Sequence, residues 1–241
     1  MVKKGISAGL RKLKKLNKNS KHKMEIYPAI LSDSVVQVQH QLDLVKDHDQ
    51  INLVQIDVID GLYADNMTVT PVDLIGLDFG GLKIDFHLMV EEPLDYVHEI
   101  AQCQEQLPVS GVLAQIERMT SLEEYLAELK KHKLQAGVSL DLPTPVSAVA
   151  DQVWSQIEMV QLMAISAGFQ GQKFDKSVLD KIDQVKQVCS QDTKIIVDGG
   201  IKLEHVEHLS DYQVSAASVG SLLWTSGDIG KTIDQLYQNE S

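Results

Sequence analysis

From Glu25 onward, short apolar runs rich in branched residues alternate with longer amphipathic stretches. The runs IYPAILS (26–32), LVQIDVID (53–60), LKIDFHLMV (82–90), SGVLAQIE (110–117), LQAGVSLDL (134–142), MVQLMAIS (159–166), KIIVDGG (194–200) and SAASVGSLLW (215–224) predict strands buried on both faces of a parallel sheet. Between them, SDSVVQVQHQLDLVKD opens on capping residues and then sets Val35, Val38, Leu42 and Val45 on one helical face. EEPLDYVHEIAQCQ has Pro93 in its first turn, where a missing N–H costs little. TSLEEYLAELKKHK shows the spacing of a capping box from Thr120 to Glu123. TPVSAVADQVW, SVLDKIDQVKQVC, LEHVEHL and DIGKTIDQLYQ predict further helices, and the irregular connection from Gly61 to Leu82 one short helix around Val72 to Leu77. Eight strand–helix pairs in succession predict an α/β fold, a single (β/α)8 TIM barrel over residues 24–241. An open doubly wound sheet would carry a glycine-rich phosphate turn after its first strand, and AILSDS is not one.

Charge sets the first 23 residues apart. They hold nine basic side chains and no acid, while the chain as a whole has a net charge of −12, so the remaining residues carry −21. A body that acidic is a poor match for nucleic acid, whose phosphates need a basic face. The stretch GLRKLKKLNK does align Leu10, Leu13 and Leu16, a pattern compatible with an anionic membrane or RNA, but a solvated basic extension is the simpler expectation for 1–23. Two cysteines, Cys103 and Cys189, in no CxxC pattern suit a reducing cytoplasm. No apolar run approaches the roughly 20 residues that span a bilayer, and the N-terminus lacks the pattern of a secretory leader.

The strand ends are where polar residues interrupt the pattern. Gln55 and Asp57 share parity on the second strand; His87 lies near the end of the third, Gln115 and Glu117 of the fourth, Asp198 of the seventh and Ser32 of the first. In a barrel of this kind, all of these converge on one mouth. Singly, each has an ordinary explanation, and Asp60 before Gly61 is expected to do no more than fix a turn. Together, two aspartates and a histidine on three strands are costly to bury unpaired, and a divalent cation is one economical partner. Glycines cluster after strands six, seven and eight, in GFQGQ (168–172), DGG (198–200) and Gly220-Ser221. Such turns let backbone N–H groups approach an anion, and a phosphate cradle is the expectation.

MEIYPAILSDS, IDVIDG, DFHLMVEEP, GFQGQKF and VDGG resemble, in order and spacing, the ribulose-phosphate 3-epimerase family. The resemblance implies inversion of C3 in D-ribulose 5-phosphate to give D-xylulose 5-phosphate, with a metal ion at the mouth; related epimerases act on D-allulose 6-phosphate. It further implies that Asp57 accepts and Asp198 donates a proton, that both are metal ligands with His87 as a third, and that Ser32 binds substrate. Gly168, Phe169, Gln170 and Gly171 match a first phosphate segment, Gly199 and Gly200 a second, and Gly220 and Ser221 a third. Self-association into a homo-oligomer is also expected.

Several positions depart from the family pattern. Gln55 stands where the family carries a metal-binding histidine, so Gln55 becomes a candidate ligand through its carbonyl oxygen, and the ion, among Zn, Mn, Fe and Mg, shifts towards the harder choices. Gln115-Ile116-Glu117 replaces His-x-Glu, Ile59 replaces a methionine, and Ser166-Ala167 replaces Asn-Pro, which predicts a looser loop. Gln170 replaces a glycine and is expected to strain the backbone there. These departures keep open an alternative in which the chain binds a phosphosugar without turning it over. A barrel decarboxylase or aldol-type synthase would need a lysine shortly after Asp57, and Val58-Ile59 supplies none.

Overall fold

The computed structural model describes residues 23–239. The predicted basic extension therefore lies almost wholly outside the described residues. Eight parallel strands close into a barrel in sequence order: β1 (Glu25–Ile30), β2 (Leu53–Ile59), β3 (Lys83–Met89), β4 (Val109–Gln115), β5 (Gln135–Leu140), β6 (Met159–Met163), β7 (Lys194–Asp198) and β8 (Ala216–Val219). Around them pack helices α1 (Val35–Val45), α2 (Pro93–Cys103), α3 (Leu122–Lys131), α4 (Val178–Val188), α5 (Leu203–Asp211), α6 (Ser221–Trp224) and α7 (Ile229–Gln238). Their ends follow local chemistry. Ser34 caps α1 by accepting from the Gln37 N–H, Pro93 opens α2, and Asp228 caps α7 by accepting from the Lys231 N–H.

The strands look hydrophobic throughout because both faces are buried, though against different partners. On β2, Val54, Ile56 and Val58 join the large outer core between sheet and helices, while Leu53, Gln55, Asp57 and Ile59 face the barrel interior. That interior is layered with a period of two residues. Its lower layer is apolar apart from Asp85: Tyr27, Leu53, Leu113, Met159, Ile196 and Ala216. Two residues on come Gln55, Gln115, Gln161, Asp198 and Ser218, all buried, joined by Asp57, His87 and Ser139. Above them Ile59, Met89, Met163, Ile165 and Ala167 close an apolar rim. A polar storey between two apolar ones is the arrangement that the interruptions in LVQIDVIDG encode.

The elements differ from the sequence expectation in four places. TPVSAVADQVW is not an α-helix but two short 3-10 turns, Val146–Ala148 and Trp154–Gln156. Pro143 and Pro145 bias Leu142 and Thr144 away from helical backbone, and the chain after them forms only the two 3-10 turns. The expected short helix around 72–77 is a 3-10 turn at Pro71–Leu74. The run 215–224 is a strand only to Val219; Gly220 turns the chain, and Ser221–Trp224 forms the short α6. Finally, α3 is capped by Ser121, which accepts from the Glu124 N–H, because the Thr120 hydroxyl is engaged by Glu92.

Candidate active site

The middle layer of the barrel brings two acids together around one amide. Gln55 Nε2 donates to Asp57 Oδ1 at 2.8 Å and to Asp198 Oδ2 at 2.7 Å. His87 Nδ1 lies 3.1 Å from the same Asp57 oxygen and 3.6 Å from the same Asp198 oxygen. On the far side of its carboxamide, Gln55 Oε1 accepts from the Ser218 hydroxyl at 2.6 Å. Gln161 Nε2 adds a second donor to Asp198 Oδ2 at 3.0 Å. The strands make this convergence unavoidable: Asp57 is in register with His87 on the neighbouring strand, and Asp198 with Ser218.

Low dielectric and crowding set the protonation. Burial pushes the Asp198 carboxyl up to about 7, and the Asp57 charge adds to the rise, while His87 and the Gln55 hydrogen bond oppose it. For His87, burial alone would disfavour the charged ring. The hydrogen bond to Asp57 and the charges of Asp57 and Asp198 outweigh it, so the imidazole is held above its ordinary range. An acid that keeps a proton near neutrality beside a second acid is a disposition suited to proton transfer.

Above this layer a cleft opens to solvent. Asp57, His87 and Asp198 form its floor, Met89, Met163 and Ile165 its apolar wall, and Gly168, Phe169, Gln170, Gly171, Gly199, Gly200, Gly220 and Ser221 its other side. Among the described residues, no lysine or arginine lines it. An anion bound on that side has to be met by backbone N–H groups and hydroxyls, which explains the glycines. Gly200 has φ +63°, and a Cβ there would stand 2.5 Å from the Phe174 backbone nitrogen.

Two expectations about the loop after β6 turn out differently. Gln170 does not carry a left-handed backbone, because the positive φ angles fall on Gly168 and Gly171 beside it. Its side chain instead lies across Gly220, where a Cβ would meet the Gln170 amide at 2.5 Å. The proline that the loop lacks has a substitute in Gln172, whose amide donates to Ser166 O at 2.7 Å and to Phe169 O at 2.9 Å. Across the mouth, Asn66 Nδ2 donates to Gly168 O at 3.0 Å and ties this loop to the one after β2.

Ser32 and Glu117 stand apart. The Ser32 hydroxyl turns to the backbone of Ser34 at the start of α1 and does not line the cavity. Glu117 is exposed in a 3-10 turn, where it accepts from the Asp141 N–H, because β4 ends at Gln115. Asp60 fixes the turn as expected, accepting from the N–H groups of Leu62, Tyr63 and Glu91. Gln161 and Ser218 were not foreseen. The signal for Gln161 was present, since MVQLM has one amide at the same inward parity as Gln55, but Ser218 is indistinguishable from its small neighbours in SAASVG.

Comparison with known proteins follows the same lines. The sequence profile described as the Ribulose-phosphate 3 epimerase family matches residues 25–224. The chain belongs to this family. It is thereby an isomerase of the epimerase type. Ribulose-phosphate 3-epimerase of Bacillus subtilis (strain 168) is 29% identical over 220 residues, covering 88% of this chain and 98% of that protein. The Escherichia coli (strain K12) protein of the same name is 28% identical, covering 77% and 82%. The chloroplastic ribulose-5-phosphate-3-epimerase of Arabidopsis thaliana is 26% identical, covering 91% and 78%. Among solved structures, Mycobacterium tuberculosis tryptophan synthase superposes with a TM-score of 0.66 at 11% identity, covering 91% of this chain and 93% of that one, a likeness of fold alone. Among the described residues, no helix is long and apolar enough to cross a membrane.

Proposed function

We propose that the chain interconverts D-ribulose 5-phosphate and D-xylulose 5-phosphate by proton transfer at C3. Inverting a carbon beside a carbonyl requires a proton to leave one face and another to arrive on the opposite face. Asp57 takes the C3 proton. Asp198, which its surroundings hold partly protonated, returns one from the other side. The observation that carries this reading is that one amide nitrogen binds an oxygen of each acid, at 2.8 and 2.7 Å, so both stand within reach of one small sugar on the cavity floor. The phosphate lies against Gly199, Gly200, Gly220 and Ser221, with the loop Gly168, Phe169, Gln170 and Gly171 closing over it. Met89, Met163 and Ile165 exclude water from the carbanionic intermediate, which would otherwise be protonated from bulk.

The same floor suits a divalent cation. Ligand atoms of Asp57, His87 and Asp198 lie within 4.8 Å of one another, a set of two carboxylates and an imidazole that fits such an ion. Asp57, His87 and Asp198 would hold it, and with Gln55 in place of a second nitrogen ligand the set leans towards Mn or Mg over Zn. Bound there, it supplies positive charge as an enediolate develops. The test is net conversion by purified, metal-supplemented protein, followed by NMR with D-ribulose 5-phosphate and D-allulose 6-phosphate in parallel. Turnover of the pentose phosphate is expected. Turnover of the hexose phosphate alone would change the substrate, and binding of either without turnover would refute the catalytic reading.

A further inference from the structure

In this hydrogen-bonded arrangement an amide NH2 group of the polar layer stands where a cation would sit. Gln55 Nε2 stands among Asp57 Oδ1, Asp198 Oδ2 and His87 Nδ1 at 2.8, 2.7 and 3.4 Å, the side chains that make up the candidate cation site. Its two N–H groups point at the carboxylate lone pairs that an ion would need. An amide nitrogen and a cation cannot share that position.

A second glutamine reinforces this state. Gln115 Nε2 lies 3.2 Å from His87 Nε2, and an amide nitrogen can only donate. Where the ring is neutral, His87 Nε2 is therefore the acceptor and the proton sits on Nδ1, directed at Asp57 Oδ1 at 3.1 Å. A protonated Nδ1 has no lone pair to offer a metal. Meanwhile Gln115 Oε1 is buried without a hydrogen-bond partner. Turning this carboxamide over would place Oε1 against His87 Nε2, draw the ring proton to that nitrogen and free Nδ1. Turning Gln55 over would bring Oε1 to the carboxylates, where only a cation between them makes it welcome, and Nε2 to Ser218. The Ser218 hydroxyl, which now donates to Oε1, can equally accept from Nε2.

We propose that Gln55 and Gln115 form an amide latch: without an ion, the Gln55 NH2 group takes the cation's place, and a divalent cation binds only when both carboxamides turn over. This rests on the reading of Asp57, His87 and Asp198 as ion ligands. Its consequence is a protein whose acid pair stays assembled while ion-free, at the expense of weaker ion binding.

The test is ion titration of the full chain, selectively labelled with 15N at the glutamine side chains. Gln55→His and Gln115→Glu variants assign the two NH2 pairs by their loss. With chelator present, both pairs should exchange slowly with solvent, and added Zn2+ should shift both along one saturation curve. Calorimetry should show Gln55→His binding Zn2+ or Mn2+ at least ~10-fold more tightly than wild type. Gln115→Glu, which adds no ligand but accepts from His87 Nε2, should also bind more tightly. Zn2+ binding that leaves the two pairs unmoved, or equal affinity in all three proteins, overturns the latch. No binding by wild type overturns it, whether or not Gln55→His binds, because the latch then never opens. These readouts do not involve turnover, so the failure of C3 chemistry would remain a separate result.

Discussion

The barrel buries carboxylates in two storeys, and only the upper one opens onto the cleft. Asp85 and His87 are two residues apart on β3, both inward-facing and both buried. At the lower level, Asp85 sits beside Gly111, with its Oδ1 left without a hydrogen-bond partner, and burial pushes its carboxyl up to about 6. Lys194 and the Gly111 and Ser110 donors pull the other way without prevailing. At the upper level, Asp57 and Asp198 share an amide, a histidine and a cavity floor. Burial and a raised acid are thus common to both storeys. Convergence across strands beneath an opening belongs to the upper one alone, and the proposed chemistry rests on that difference.

Substitutions can break this contrast. Asp57→Asn and Asp198→Asn should each lower conversion by roughly 10³-fold or more while preserving the folded circular dichroism spectrum, since one face then lacks its proton carrier. Gly200→Ala should raise KM by about 10-fold or more, measured by steady-state kinetics, because its Cβ meets backbone at 2.5 Å on the phosphate side. Gln170→Gly should act in the opposite sense, lowering KM a few-fold by clearing the side chain from Gly220.

The smallest effect on turnover is expected at the lower storey. Asp85→Asn should leave turnover within about 2-fold of wild type, if Asp85 is structural, but should change how stability depends on pH. A carboxyl raised to about 6 in the fold is favoured while protonated. Its relative stabilisation is fully present below the unfolded pKa, near 4, and is lost as pH rises through about 6. The Asn variant loses nothing over that window. Its unfolding free energy relative to wild type should therefore rise between pH 4 and 7, by up to about 3 kcal/mol, in denaturant titrations. A flat difference would show that Asp85 ionises freely in the fold.

Much of this was legible in the sequence because parallel strands advertise themselves twice. Apolar runs located all eight strands, and parity placed Gln55 with Asp57 on the inner face before any geometry was known. The glycine turns were likewise readable, and every one of Gly168, Gly171, Gly199, Gly200 and Gly220 lines the cavity. What the string of residues could not carry was direction at the end of a side chain. Ser32 closes onto Ser34, Gln170 folds over Gly220, and Gln55 presents nitrogen where a ligand oxygen was expected. Each is decided by neighbours 50 or more residues distant or by a local turn. The missing helix between β5 and β6 has a simpler cause, since two prolines outweighed an apolar periodicity.

The account stands on Asp57 and Asp198 working on opposite faces of one carbon. It is tested most directly by incubating D-ribulose 5-phosphate in deuterated water with the wild type, Asp57→Asn and Asp198→Asn, and reading deuterium at C3 by NMR. The wild type should place solvent deuterium at C3 in both epimers, and neither variant should yield labelled D-xylulose 5-phosphate. Labelling by Asp57→Asn at the wild-type rate, or its absence from the wild-type reaction, would contradict the assignment.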